Sequence, residues 1–233
     1  METILAFDRI RAGKILKTLQ FKLSVHKEDF ASILVAEESH DPFRVLVVTI
    51  LSQNCTDVAA VRAYRTLDRR IGVTSRSLSR ARSREIASAI HVAGLYRQKA
   101  KALRQLALVI SQKYEGDLAQ VLNEPLEQAR ETLQELPKVG PKTADVLLSV
   151  WGKPTISVDT HVERVAKRLG LTPPDSKYDR VRFDLMRLFE EADYGRVPIL
   201  LMAHGRRYCK ARRPLCPTCP IAGLCSYPKK TKE

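Results

Sequence analysis

The sequence is poor in acids, in glycine and in long apolar runs. Only 26 Asp and Glu face 40 Lys and Arg, and only 10 of its 233 residues are glycine. The longest apolar stretches, Val45–Leu51 and Val197–Ala203, fall far short of the roughly 20 residues that span a bilayer. Residues 1–14 mix charges among apolar side chains, which excludes a secretory signal. There is no internal repeat, no low-complexity linker and little strand-like alternation. These absences exclude collagen-like, mucin-like and disordered classes and predict a cytoplasmic protein with no membrane partner.

A chain of 233 residues makes one large or two small domains and can bury a sizeable core without staples. The net charge of +14 favours a polyanion as partner, either nucleic acid or an anionic membrane. No basic amphipathic helix or lipidation motif supports the membrane.

Helical signals dominate, and the expected fold class is all-α. Helices are predicted over Pro42–Leu51 (with Asp41 as N-cap), Val58–Ile71, Ser83–Val92, Lys99–Tyr114, Pro125–Leu136, Lys142–Trp151, Asp159–Leu169, Tyr178–Glu190 and Val197–Tyr208. The evidence is apolar spacing of three and four, caps, and Gly or Pro at the ends. Charge is uneven along the chain. The stretch 62–104 is rich in Arg and Lys, 114–136 carries six acids against Arg130, and 206–213 holds five bases in eight residues. One side is expected to meet the polyanion, with 114–136 turned elsewhere.

Four of the five cysteines lie within seventeen residues, as Cys209-x6-Cys216-x2-Cys219-x5-Cys225. In a reducing compartment, clustered thiols point to metal rather than to disulfides. Structural zinc sites favour two C-x2–4-C pairs, and only one such pair is present. An iron–sulfur cluster also takes four thiolates and, being wider, suits looser spacing. Zinc and cluster both remain open on spacing alone. The loop inside the first gap carries Lys210, Arg212 and Arg213, suited to hold phosphates. Cys55 stands apart and is expected to be a buried small hydrophobe.

The segment Leu136-Pro137-Lys138-Val139-Gly140-Pro141-Lys142-Thr143-Ala144 joins two predicted helices. Its Pro and Gly force a tight hairpin whose N–H groups, beside a helix N-terminus, bind an anion. Lys138, Val139 and Gly140 are therefore candidate DNA contacts. Lys142 falls in the first turn of the second helix, where the positive helix end disfavours an ammonium and so favours a free, nucleophilic amine. The bland alternative is an exposed lysine touching phosphate. Seventeen residues on, in Val158-Asp159-Thr160-His161, Asp159 is placed to cap a helix. An ionised carboxylate there can also assist an amine or steady a sugar cation.

Hairpin, Val-Asp-Thr-His segment and C-x6-C-x2-C-x5-C tail, in that order, resemble the endonuclease III branch of the helix–hairpin–helix DNA glycosylases. The resemblance runs from about Pro42 to Cys225. It also includes Leu51-Ser52-Gln53-Asn54-Cys55-Thr56-Asp57, Gly94-Leu95-Tyr96-Arg97-Gln98-Lys99-Ala100 and Ala203-His204-Gly205-Arg206. It implies two helical domains with DNA bound between them. Residues 33–154 would form a six-helix barrel with the helix–hairpin–helix at about 126–152, and residues 1–32 with 155–233 a cluster domain. It implies a [4Fe-4S] cluster on the four cysteines and a monomer acting on double-stranded DNA with a damaged base or abasic site, nucleoid-associated when bound. Lys142 would attack sugar C1′, with Asp159 activating the amine and stabilising the transition state. Asn54, or its neighbour Gln53, would fill the space left by a flipped nucleotide. Leu95 matches the apolar wedge beside the estranged base, with core packing as its alternative. The family hairpin often reads Leu-Pro-Gly-Val-Gly, and here Lys138 replaces the first Gly. Competing readings of the same features are a non-catalytic DNA-binding module, a mismatch enzyme that only removes bases, and a zinc-stabilised nucleic-acid binder.

Overall fold

A computed structural model of the chain describes residues 2–26 and 29–231, with side chains from Asp8 onward. Among the described residues there are thirteen α-helices and no strand, so the fold is all-α as expected. Among the described residues no helix is long and apolar enough to cross a membrane. The chain divides into two compact units, His26–Lys153 and Met1–Val25 with Pro154–Glu233.

The unit His26–Lys153 contains α2 (Ala31–Ser39), α3 (Pro42–Ser52), α4 (Asp57–Arg70), α5 (Ser75–Arg80), α6 (Ser83–Ala89), α7 (Tyr96–Lys113), α8 (Ala119–Asn123), α9 (Leu126–Gln134) and α10 (Pro141–Val150). At its centre is α3, where every residue from Val45 to Leu51 is buried. A helix apolar on all sides must be enclosed by others, and α2, α4, α7 and α10 pack on it. The start of α3 is fixed locally. Pro42 occupies its first position, and the Asp41 carboxylate accepts from the N–H of Phe43 at 2.8 Å.

The other unit contains α1 (Glu2–Lys22), α11 (Thr160–Leu169), α12 (Tyr178–Leu188) and α13 (Arg196–Arg207), followed by the cysteine-bearing tail. Helix α11 is strongly amphipathic. Val162, Val165, Ala166 and Leu169 form one buried stripe, which rests on α13. Gly205 permits that approach, because a Cβ there would stand 3.1 Å from His161 Cβ and 3.2 Å from Val165 Cγ2. Gly170 stops α11 in the left-handed region at φ +68°.

All nine expected helices are present, with ends within three residues of the expected ones. The sequence reading did not include α1, α2, α5 and α8. Ser83–Val92 is shorter than expected, ending as an α-helix at Ala89 before a 3-10 turn over His91–Ala93.

Candidate functional site

Helices α9 and α10 enclose the hairpin. Leu136 and Val139 are buried, and the Val139 N–H donates to Leu136 O at 3.1 Å to close the turn. Lys138 between them lies at φ +64°, a region that costs a side-chain-bearing residue energy and suits glycine. That is the physical reason for a glycine at this place in the related pattern. Lys138 accepts the same backbone and adds an exposed base. Gly140 caps α10 in an extended conformation, and Pro141 opens the helix. Lys142 follows, exposed in the first turn. With its side chain buried and its N–H committed to Leu136 O, Val139 anchors the turn. Beneath the hairpin, Arg130 Nε stands 3.1 Å from both oxygens of buried Asp145, tying α9 to α10.

The end of α3 approaches the same hairpin. Gln53 Nε2 donates to Lys138 O at 3.3 Å and to Thr143 Oγ1 at 3.4 Å. Asn54 is exposed at φ +51°. Leu95 is 54% exposed and turned outward at φ +47°, immediately after Gly94 at φ +56°. Core packing is thereby overturned as its explanation. Gln53, Asn54, Leu95 and Lys138 line one cavity of about 100 Å³ together with Lys99. Cys55 beside them is half-buried against the core, less enclosed than expected.

Lys99 was not singled out by sequence reasoning. It is 5% exposed, and its Nζ donates to Leu51 O at 2.8 Å and to Ala93 O at 2.5 Å. Burial pushes its pKa down. A signal was available: Lys99 shares the buried stripe of α7 with Leu103, Leu106 and Ile110.

In the other unit, Asp159 is the N-cap of α11, its Oδ1 accepting from the N–H of His161 at 2.9 Å and of Val162 at 2.7 Å. The far end of α11 holds the cysteine loop. Arg168 donates to Lys210 O at 2.7 Å, Ala211 O at 3.0 Å and Cys209 Sγ at 3.4 Å, and stacks over Tyr227 at 4.7 Å. Arg164 donates to Cys209 O at 3.0 Å and Gly205 O at 3.2 Å. Neither arginine was picked out from the sequence; both are recognisable only once the loop is folded back on α11. Lys210, Arg212 and Arg213 are exposed on that loop.

Cys209, Cys216, Cys219 and Cys225 line one cavity, and all are free thiols. Burial pushes the Cys219 thiol up, and the other three sulfurs push it further. Four thiolates crowded this way need a cationic centre. Among the described residues, no three His, Cys, Asp or Glu close around a single-ion position, whereas a wider multi-iron group suits four soft ligands around a void. The donor set therefore fits an iron–sulfur cluster. His204 beside Cys219 is buried and its pKa is pushed down to about 4 by that burial, keeping a neutral ring against the sulfur.

Hairpin and thiol loop together define a helix–hairpin–helix protein with an iron–sulfur loop. The pattern of the HhH-GPD superfamily of base excision DNA repair proteins matches residues 47–191. That of the iron-sulfur binding domain of endonuclease III matches residues 209–225, making the cofactor a [4Fe-4S] cluster. Endonuclease III of Sulfolobus acidocaldarius is 32% identical over 93% of this chain and 96% of its own length. That of Bacillus subtilis is 35% identical over 92% and 94%. A solved non-covalent endonuclease III–DNA complex superposes with a TM-score of 0.77 at 30% identity, covering 94% of this chain and 95% of that one. A trapped endonuclease III–DNA covalent intermediate gives 0.70 at 32%, covering 87% and 97%. The chain belongs to the endonuclease III family within the HhH-GPD superfamily.

Proposed function

We propose that the protein is a bifunctional DNA glycosylase and abasic-site lyase of base excision repair, acting on oxidised or ring-saturated pyrimidines in double-stranded DNA. The observation that carries this is Lys142, an exposed amine in the first turn of α10 beside a phosphate-binding hairpin. Residues 33–154 serve as the helix–hairpin–helix barrel, and 1–32 with 155–233 as the cluster domain. The protein works in the cytoplasm, on nucleoid DNA.

The damaged nucleotide leaves the stack at a cost of a few kcal/mol, least for a damaged or mispaired base. Gln53 or Asn54 occupies the vacated space, and Leu95 wedges the opposite strand. The backbone N–H of Gly140 and the bases Lys138, Lys210, Arg212 and Arg213 hold phosphates. The Lys142 amine attacks C1′, the glycosidic bond breaks, and the base leaves with its electron pair and takes up a proton. Asp159 assists the amine and stabilises positive charge on the sugar. Opening of the sugar ring gives an iminium, which acidifies the C2′ proton. Loss of that proton expels the 3′ phosphate and cuts the strand. The four cysteines hold the cluster, which braces the basic loop for docking.

Borohydride reduction in the presence of abasic or thymine glycol DNA tests this reading. A covalent adduct is expected with the wild type and none with Lys142→Ala. No wild-type adduct overturns it in favour of a non-catalytic or base-removing DNA binder, and an undiminished one in the variant takes the chemistry away from Lys142.

A further inference from the structure

A buried lysine that touches no substrate lies among the residues to which lesion reading is assigned. Its ammonium donates to two carbonyls, Leu51 O at the end of α3 and Ala93 O in the 3-10 turn before Gly94 and Leu95. The C-terminal end of a helix carries partial negative charge, which explains how α3 retains a cation there. Leu51 lies two residues before Gln53, and Ala93 two before Leu95. Gln53 in turn donates to Lys138 O and Thr143 Oγ1. The turn bearing Leu95, the end of α3 and the hairpin are thus linked by a short series of hydrogen bonds within one compact unit.

We propose that Lys99 is a positioning residue that sets the spacing between the Leu95 turn and the Gln53–Asn54 turn, and through Gln53 registers both to the hairpin. Loss of the ammonium unties the Ala93 carbonyl from that of Leu51, next to two left-handed residues, Asn54 and Leu95. This inference rests on the wedge and gap-filling parts given above to Leu95, Gln53 and Asn54. It adds the element that makes them act on one duplex together.

The test uses cluster-loaded full-length protein and two substrates, a thymine glycol duplex and single-stranded abasic DNA, which has no opposite strand to wedge. Lys99→Met keeps the length and apolar stem but removes the donors. Single-turnover base removal from the duplex is expected to fall by roughly 10- to 100-fold, as for a misplacement of about 1 Å, with single-strand cleavage within about twofold. Because Lys99 acts through Leu95, adding Lys99→Met to Leu95→Ala is expected to cost less than about threefold more. Lys99→Gln should show the same split between substrates to a smaller extent, and serves if the Met variant fails to fold. Equal loss on both substrates means a merely structural lysine and overturns the proposal. So does full duplex activity, or a double variant whose losses multiply. Should Leu95→Ala leave the duplex rate unchanged, the wedge reading itself falls and takes the proposal with it, an outcome distinct from multiplied losses with an active wedge.

Discussion

The hairpin at 136–142 and the loop at 209–216 both present bases on a turn, Lys138 and Lys142 on one, Lys210, Arg212 and Arg213 on the other. They are held in place differently. The hairpin closes on its own buried Leu136 and Val139, over the Arg130–Asp145 pair that joins α9 to α10. The loop has no such apolar floor of its own. Residues 210–213 are all exposed, and their backbone is pinned by Arg168 and by four sulfurs around a void. One turn is specified by packing, the other by a cofactor and the arginines Arg164 and Arg168. Apolar packing suits a turn that holds the Lys142 amine steady. A cofactor-braced loop can carry more bases on a fully exposed stretch.

Breaking the packed turn gives the largest expected effect. Asp145→Ala removes the buried carboxylate from Arg130, leaving Glu127 at 3.9 Å, and breaking a buried pair from one side costs about 3–5 kcal/mol. Denaturant unfolding should show that loss, while iron content and visible absorbance of the folded protein stay at wild-type values. If iron content or visible absorbance of the folded variant falls below wild type, the two turns do not depend on separate supports.

A smaller effect sharpens the comparison from the other side. Lys138→Gly relieves the left-handed strain at φ +64° and should raise stability by about 1 kcal/mol. Removing one phosphate contact should also reduce the salt slope of duplex binding by about 0.9. Stability up and slope down identifies Lys138 as a strained residue kept for binding. An unchanged slope means that its ammonium does not reach the backbone of the duplex.

Much of this was legible in the sequence, for local reasons. Asp41 and Asp159 are caps whose short oxygens reach N–H groups two and three residues on, and Gly170 adopts the left-handed stop that its position suggests. These features need no tertiary information. The four-cysteine spacing was likewise sufficient for a cluster once joined to the hairpin and the Val-Asp-Thr-His segment. What escaped depended on long-range partners. Helix α5 has one buried residue, Leu78, too little for a periodic signal. Helix α1 does carry a stripe of Ala12, Ile15, Leu16 and Leu19, but charges between them hide it. Lys99, Arg130 and Asp145 lie on otherwise apolar stripes, and only the fold supplies the carbonyls and the counter-charge that make them tolerable there.

Asp159 gives the smallest expected change in stability and separates two parts played by one side chain. As a cap it satisfies two N–H groups of α11, and asparagine caps about as well as aspartate. Asp159→Asn should therefore keep those bonds and lose only the attraction of the carboxylate to the helix end, about 0.3–1 kcal/mol. Asp159→Ala loses the cap as well, at a typical cost of about 1 kcal/mol. If the carboxylate takes part in the chemistry, base removal slows in both variants although their stabilities differ. If it only caps, the asparagine variant works at the wild-type rate and the alanine variant loses activity only as far as α11 frays. Single-turnover rates set beside melting temperatures for the two variants decide between these. A full rate in Asp159→Asn would leave Lys142 without an assisting carboxylate at this position.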